Sequence, residues 1–598
     1  VLDLLFARFA AARGLALPAV RVPPELTRRA DVALAALDFA ALDVAHLGAV
    51  HEHLLARSDA RRRAGAHYTT RALTAPVVRD TLAPLLAALT RDDAPPSPDA
   101  LLALTVCDPA MGAGAFLLEA CRQLGDALVR SWAAHGLPST VSRDDDRTFA
   151  ARRLVARHCL HGVDQDEHAV TLARRSLWLE VRGESDPDAF LTRSLCVGDA
   201  LVGAVHARDV AARESAEVAA RAATREGERA VRCFHWELAW PEVFAAGGFA
   251  AVLGNPPWVS YAGRAAQPLT EARRRWYDAT FAAFARYKNL QGLFVERAAS
   301  LLRPGGRLGL VLPSSMAELA GYGPTRAAHD RYAVCDDELP DLGEDGFLGV
   351  FQPSMVLRST ARPVALATGD SAPWPIERPD VDDEARSLLA KLTRPPLPPE
   401  TFGERGLHTF GDDVAHLQTK PDAVHTVPLR VGGDISAFRR GAPSTFADAQ
   451  WFGARIRAEA AWRAVDVLIR QTARVPIAVV GDGAGFRNSL LAGFASTQYP
   501  AGFLVAYLNA SPVRWWHYYS HRDARLGMPQ VKIGHLRTLP APPAALVATL
   551  AALGDALTAR NDGVTAAEQR AIDDAVMGAF GLTTAERARV ERDAMRWR

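Results

Sequence analysis

Leu104-Thr-Val-Cys-Asp108-Pro109-Ala-Met-Gly112-Ala-Gly114-Ala-Phe-Leu-Leu118 reads as a buried strand, a tight glycine turn and the start of a helix. That order is nucleotide-binding geometry. Without a Cβ, Gly112 and Gly114 let a ligand approach the backbone, and a helix opening near Ala115 offers unpaired N–H groups. A Gly-x-Gly by itself reads equally as a βα turn with glycines for packing.

The next strand-and-acid unit is Cys159-Leu-His-Gly-Val163-Asp164, followed by a helical pattern from about Glu167 to Glu180. An acid at the tip of a second strand suits bonding to ribose hydroxyls. Asp164 lies 56 residues beyond Asp108, more than the roughly 20 of compact dinucleotide folds, so Ser139–Arg147 reads as an insertion. Asp199, in Val197-Gly-Asp-Ala-Leu201, ends a third strand pattern. It reads either as a contact to a purine amine or as a turn aspartate.

Gly254-Asn255-Pro256-Pro257-Trp258 follows the apolar run Phe249–Leu253. An exocyclic amine on a nucleobase is a poor nucleophile because its lone pair is delocalised, so a site that methylates it must accept both N–H bonds. The Asn255 side-chain oxygen and the Pro256 carbonyl are suited to this. The two prolines fix φ near −65° and bring no N–H, which holds the carbonyls stiffly, as preorganised electrostatics requires. Trp258 offers a face for a planar ring, worth about 1–3 kcal/mol per stacked base. Asn-Pro is also an ordinary turn signal.

Taken in order, Gly65-Ala-His-Tyr68-Thr69-Thr-Arg71, the Asp108 glycine turn, Asp164, Asp199 and Asn-Pro-Pro-Trp resemble the gamma class of S-adenosylmethionine-dependent DNA adenine-N6 methyltransferases. More narrowly, they are similar to the large methylases of type IIG restriction-modification systems and of phage-defence islands such as BREX. The resemblance spans roughly residues 45–360. It implies an α/β fold, with a Rossmann-like doubly wound methyltransferase core, a helical N-terminal lead-in and a separate C-terminal mixed α/β target-recognition domain. It implies S-adenosylmethionine as cofactor, held by Tyr68, Thr69, Asp108, Pro109, Gly112, Gly114, Asp164 and Asp199. Asn255, Pro256, Pro257 and Trp258 would grip the target adenine, and Phe347 or Phe351 would stack on its far face. Two departures stand out. Met111 and Ala113 replace the commoner Cys or Thr and Ser, and Trp258 replaces the commoner Tyr.

Length and composition bound the rest. A chain of 598 residues is too long for one core, and 49% apolar with 23% charged residues is a globular balance. With no 18-residue apolar run and no leader pattern, a cytoplasmic protein without a membrane span is expected. The six cysteines contain no Cys-x-x-Cys pair, and His158-Cys159-Leu-His161 leads into a buried strand, so no metal site is expected. Net charge is only +1, but residues 451–540 carry +7, leaving −6 elsewhere. A basic lobe on a near-neutral enzyme is what phosphate contact produces.

Five segments are expected: a helical lead-in (1–64), the methyltransferase core (65–375), a Pro-rich linker (376–405), the recognition domain (406–545) and a C-terminal helical segment (546–598). Residues 207–232, rich in Ala, Arg and Glu, read as an exposed helical insertion. Gln471, Arg474, Arg487, Asn488, Arg525 and Lys532 are the candidate DNA contacts, since arginine suits guanine and Asn or Gln suits adenine. Trp515-Trp-His-Tyr-Tyr519 reads either as helix core or as a wedge into bases. Pro379-Asp380 followed by Asp383-Glu384 lacks the spacing and lysine of a nuclease motif, so no cleavage by this chain is expected.

In the resembled family a nuclease often precedes the lead-in, and with the chain opening on Val1 something upstream is expected to be removed, encoded separately or never present. The expected partners are double-stranded DNA and a nuclease or other defence subunit. Two other readings stay open. One is a recognition subunit whose methylation depends on partners. The other is an amino-methyltransferase of protein or RNA.

Overall fold

The computed structural model describes the backbone of residues 2–597 apart from 16, 18–36, 57–68, 92–93, 143–144, 184–185, 263–265, 344–351, 368–370, 379–380, 410 and 522–528. Tyr68, Phe347, Phe351, Arg525 and Pro379-Asp380 therefore lie outside the described residues. The chain forms two compact units, Val1–Glu377 and Arg378–Arg598.

The first unit is built on one sheet. Its strands are β1 (Val106–Asp108), β2 (Leu160–Asp164), β3 (Leu195–Val197), β4 (Phe249–Gly254), β5 (Leu302–Pro313), β6 (Ala333–Cys335), β7 (Asp341–Gly343) and β8 (Ser354–Ala361). Their order is β3-β2-β1-β4-β5-β8-β6, with β7 also on β8. The strands from β3 to β5 pair in parallel, and β8 inserts antiparallel between β5 and β6. The order reverses between β1 and β4, so the crevice at their carboxyl ends is the topological switch point, where open α/β sheets bind ligands.

Alternation along the strands explains why both faces are covered. Val106, Ala251 and Leu253 pack into one core, and Cys107, Val252 and Phe249 into the other. Helices Arg71–Leu89, Ala115–His135 and Glu167–Glu180 bury residues in the first core. Leu290–Ser300 and Gly323–Tyr332 serve the second. The lead-in helices Leu2–Ala12 and His46–Ala56 also join the first core, through Phe6, Phe9 and Leu47. Among the described residues, Arg71–Leu89 alone is long and apolar enough to cross a membrane. It buries Leu73, Val77, Val78, Leu82 and Leu85 in this core.

The second unit holds a four-stranded antiparallel sheet ordered Ala478–Val480, Val467–Arg470, Leu490–Gly493, Phe402–Gly403. Helices Ala501–Asn509 and Ser511–Ser520 pack with Ala544–Arg560, Ala566–Ala579 and Thr584–Ala594. Gly502 and Gly554 allow close approach of two of these helices, since a Cβ on Gly554 would lie 2.0 Å from the Gly502 carbonyl.

The structure corrects the expected linker. Residues 376–405 contain the helix Asp383–Leu392, and Leu388, Leu392, Leu397 and Phe402 are buried in the core of the second unit. The prolines at 395–399 mark an extended segment, in which Leu397 N–H donates to the Leu539 carbonyl and Ala541 N–H to that of Pro395. The helices beyond 546 belong to the same core rather than forming a separate segment, with Leu550, Ile572 and Val590 fully buried in it. Trp515, Trp516 and Tyr519 are core side chains as well.

Candidate functional site

The glycine turn follows β1 directly. Gly112 and Gly114 have φ of +52° and +83°, a region that favours glycine. Gly112 has open space where a Cβ would stand, whereas a Cβ on Gly114 would meet Ala173 at 3.1 Å. The turn is locked to the tip of β2, because Gly112 N–H donates to Asp164 Oδ2 at 2.9 Å and Met111 N–H to the Val163 carbonyl at 3.1 Å. Asp166 N–H donates to Asp164 Oδ1 at 2.8 Å, and Asp166 in turn caps the helix Glu167–Glu180.

Asp108 is fully buried, and its Oδ1 accepts from Ala110 N–H at 3.1 Å. Burial pushes its carboxyl up to about 8, and the neighbouring Asp164 adds to the rise. Burial likewise raises Asp164 to about 6. The surroundings of both acids disfavour the charged form.

β4 ends against β1. Gly254 has φ +155°, and a Cβ there would lie 2.6 Å from Asp108 Oδ1. Only glycine fits at this crossing. Asn255 comes next. Its Nδ2 donates to Thr69 Oγ1 at 3.4 Å, while its Oδ1 is buried with no hydrogen-bond partner among the described residues. Unpaired buried acceptors are rare and call for an explanation. Pro256 is buried, and Pro257 and Trp258 are half-buried, the indole packing against the first core. The segment after Trp258 is held by Leu290 N–H on the Val259 carbonyl at 2.8 Å and Tyr261 N–H on that of Lys288 at 2.9 Å.

Asp199 stands after β3, but its carboxylate is engaged. Oδ1 accepts from Leu201 N–H at 3.0 Å, and Oδ2 is ion-paired with Arg273. Arg273 and its second partner, Glu228, were not among the residues the sequence singled out, and no spacing marks them. Glu228 lies just beyond the helix Val210–Arg225. The insertion around it is therefore part of the wall rather than an exposed appendage, with Ala216 and Ala220 buried in the second core.

The structure thus brings Thr69, Asp108, Gly112, Asp164 and Asn255 to the carboxyl ends of β1, β2 and β4, with Pro109 inside the turn. In the second unit, Gln471 N–H donates to the Ser489 carbonyl at 2.9 Å and the Gln471 carbonyl accepts from Val531 at 2.8 Å. Gln471, Asn488 and Lys532 therefore sit on three adjoining segments. Arg487 donates to Thr409 Oγ1 at 2.7 Å. Arg474 is exposed and lies elsewhere, reaching the Arg596 carbonyl at 3.3 Å. His161, from the candidate metal cluster, is buried in ring contact with Trp240 and Phe249. His329, Asp330 and Cys335 also cluster, yet both His329 ring nitrogens are bonded, to Asp330 and Ser359.

The strand order with an inserted antiparallel β8, the glycine turn at β1 and the switch-point cleft define a class I S-adenosylmethionine-dependent methyltransferase fold. Within it, residues 158–332 match the family described as Eco57I restriction-modification methylase. Among solved structures, the chain is similar to the Type IIL restriction-modification enzyme MmeI in complex with DNA, at 14% identity and TM-score 0.60 over 97% of this chain and 85% of that one. It is also similar to DrdV in its DNA complex, at 11% identity and TM-score 0.51 over 90% of this chain and 62% of that one. At these identities the likeness is one of fold. No curated protein matches the chain.

Proposed function

We propose that this chain transfers a methyl group from S-adenosylmethionine to the exocyclic N6 amine of an adenine in double-stranded DNA, as a gamma-class methylase of a restriction-modification or phage-defence system. One observation carries the reading. Asn255 presents a buried amide oxygen, unpartnered among the described residues, at the end of β4, beside the glycine turn at the end of β1. A buried acceptor left open is costly unless a donor arrives to meet it, and an exocyclic amine is such a donor.

Bound S-adenosylmethionine supplies an electrophilic methyl group. Asp164, held by two backbone N–H groups, is placed to accept ribose hydroxyls, and Gly112 leaves the backbone open to the ligand. Asn255 Oδ1 and the Pro256 carbonyl accept the two N–H bonds of the target amine, so its lone pair turns toward the methyl. Positioning and fixed acceptors carry the rate. Trp258 stacks on the base after it has left the helix, a step costing on the order of a few kcal/mol. Gln471, Arg487, Asn488 and Lys532 are the DNA contacts proposed for the second unit, with Arg474 on a separate surface.

The test is incubation of the chain with S-adenosylmethionine and unmethylated genomic DNA, with modified adenines mapped by single-molecule sequencing. Methyladenine in one sequence context, absent with Asn255→Ala although that variant still binds cofactor, is the expected result. Unchanged methylation by Asn255→Ala would remove Asn255 from the reaction centre.

A further inference from the structure

Asp199, Glu228 and Arg273 come from three separate segments and form one nearly buried cluster. Arg273 Nη1 pairs with Asp199 Oδ2 and donates to Tyr277 OH at 3.1 Å. Its Nε and Nη2 both reach Glu228 Oε2, at 3.1 and 2.7 Å. Thr270 Oγ1 donates to the other oxygen of Glu228. The Arg273 and Asp199 side chains are only 11% and 10% exposed. Asp199 is tied further by its own N–H to the Arg232 carbonyl at 2.8 Å.

We infer that Arg273 is a positioning residue that makes Asp199 an acceptor and so selects a 6-amino purine in the cofactor. The inference rests on the proposed S-adenosylmethionine site, with its nucleobase lying at the end of β3. Arg273, bonded to Asp199 Oδ2, offsets the cost of burying that carboxylate. The arrangement does more than neutralise. Among the described residues, Leu201 N–H and Arg273 each take one position, on different oxygens, and a carboxylate has about four acceptor positions, so each oxygen keeps one that these donors do not fill. Two carboxylates share one guanidinium. An amine donates to such a group, whereas a 6-oxo purine would turn a carbonyl oxygen against it. Glu228 and Thr270 hold Arg273 from behind and touch Asp199 only through it.

The measurement is binding of S-adenosylhomocysteine against S-inosylhomocysteine, which differ in bearing the 6-amino or the 6-oxo group, by calorimetric titration on the full chain. The unaltered chain is expected to prefer the amine by at least about 10-fold, because a mismatched buried acceptor loses a hydrogen bond and keeps its desolvation cost. Asp199→Asn and Arg273→Gln should each reduce that preference to under about 3-fold. Glu228→Gln, which loosens Arg273 alone, should reduce it part of the way.

If Asp199→Asn abolishes the preference while Arg273→Gln and Glu228→Gln keep it in full, Arg273 is only structural and the inference is overturned. If Asp199→Asn itself leaves the preference intact, Asp199 does not read the nucleobase, and the reading beneath the inference fails instead. Should Arg273→Gln not fold, Arg273→Lys and Glu228→Gln carry the test. Lysine keeps the charge without the fork and should retain an intermediate preference. Full retention in both would likewise overturn the role of Arg273.

Discussion

The amide nitrogen of Asn255 donates to Thr69 Oγ1 at 3.4 Å, and this bond decides which way the amide faces. With the nitrogen turned to Thr69, the oxygen is the atom left buried and unpartnered among the described residues. Replacing Thr69 with valine keeps the shape and removes the acceptor, so the amide is free to turn. A hydrogen bond is worth about 0.5–1.5 kcal/mol net. Single-turnover methyl transfer by Thr69→Val at saturating cofactor should therefore slow by about 2- to 10-fold. A transfer rate equal to that of the unaltered chain would show that Thr69 does not set the amide.

Asp108 makes folding depend on pH in a defined direction. Its carboxyl is raised by burial to about 8 in the folded protein, against an ordinary value near 4 in the unfolded chain. Between these values the folded state holds a proton that the unfolded state has lost. Stability from this group is therefore complete below about pH 4, declines as pH rises, and is gone once pH passes about 8. Asp108→Asn cannot ionise and should melt higher than the unaltered protein at pH 8, with the gap closing toward pH 4. Parallel melting curves with a constant gap across that range would contradict it.

Much of the site was legible because its parts are short and continuous in the chain. The Asp108 turn, Asp164 and Asn255-Pro-Pro-Trp each bring their own strand end and ligand-facing group within a few residues. Arg273 was not legible. Its meaning depends on Asp199 and Glu228, 74 and 45 residues away, and a Glu-Ala-Arg-Arg-Arg stretch on a helix looks like any solvated face. The linker reading failed for a related reason. Proline density reports that the backbone leaves regular hydrogen bonding, and cannot tell a free tether from a segment paired with Leu539 and Ala541. Trp515–Tyr519 were ambiguous because aromatic side chains serve cores and stacking equally, and only burial settled them.

The lead-in helix His46–Ala56 touches the glycine turn itself. A Cβ on Gly48 would stand 2.9 Å from the Cβ of Ala113, between the two glycines that open the cleft. Gly48→Leu must push the helix away or deform the turn, and overpacking of this kind costs about 1–3 kcal/mol. The variant should lose stability of that order and also bind S-adenosylmethionine about 10-fold more weakly in titration. A folded variant with undiminished affinity would mean that the helix packs on the turn without shaping it.

His517, His521 and His535 of the second unit form a cluster with ring centroids 4.6–5.9 Å apart. His517 is 1% exposed, and both its ring nitrogens lack partners among the described residues. Burial lowers the three to about 3, 4 and 2 respectively, and the charges of Lys532 and Arg378 push His521 and His535 further the same way. An unfolded imidazole takes up its proton near 6.5, so below that pH the unfolded chain binds protons that the folded one refuses. Stability from these groups is intact above about pH 6.5 and falls as pH drops, by up to about 1.4 kcal/mol per pH unit for each histidine. The fall should ease first for His521, as pH nears its folded value of about 4. His517→Leu keeps an apolar side chain of similar bulk in the core and cannot protonate. Urea unfolding at pH 7.5, 6 and 5 should show the variant losing stability less steeply than the unaltered chain, so that it is the more stable of the two at pH 5. Equal slopes would mean that His517 takes up its proton in the folded state after all.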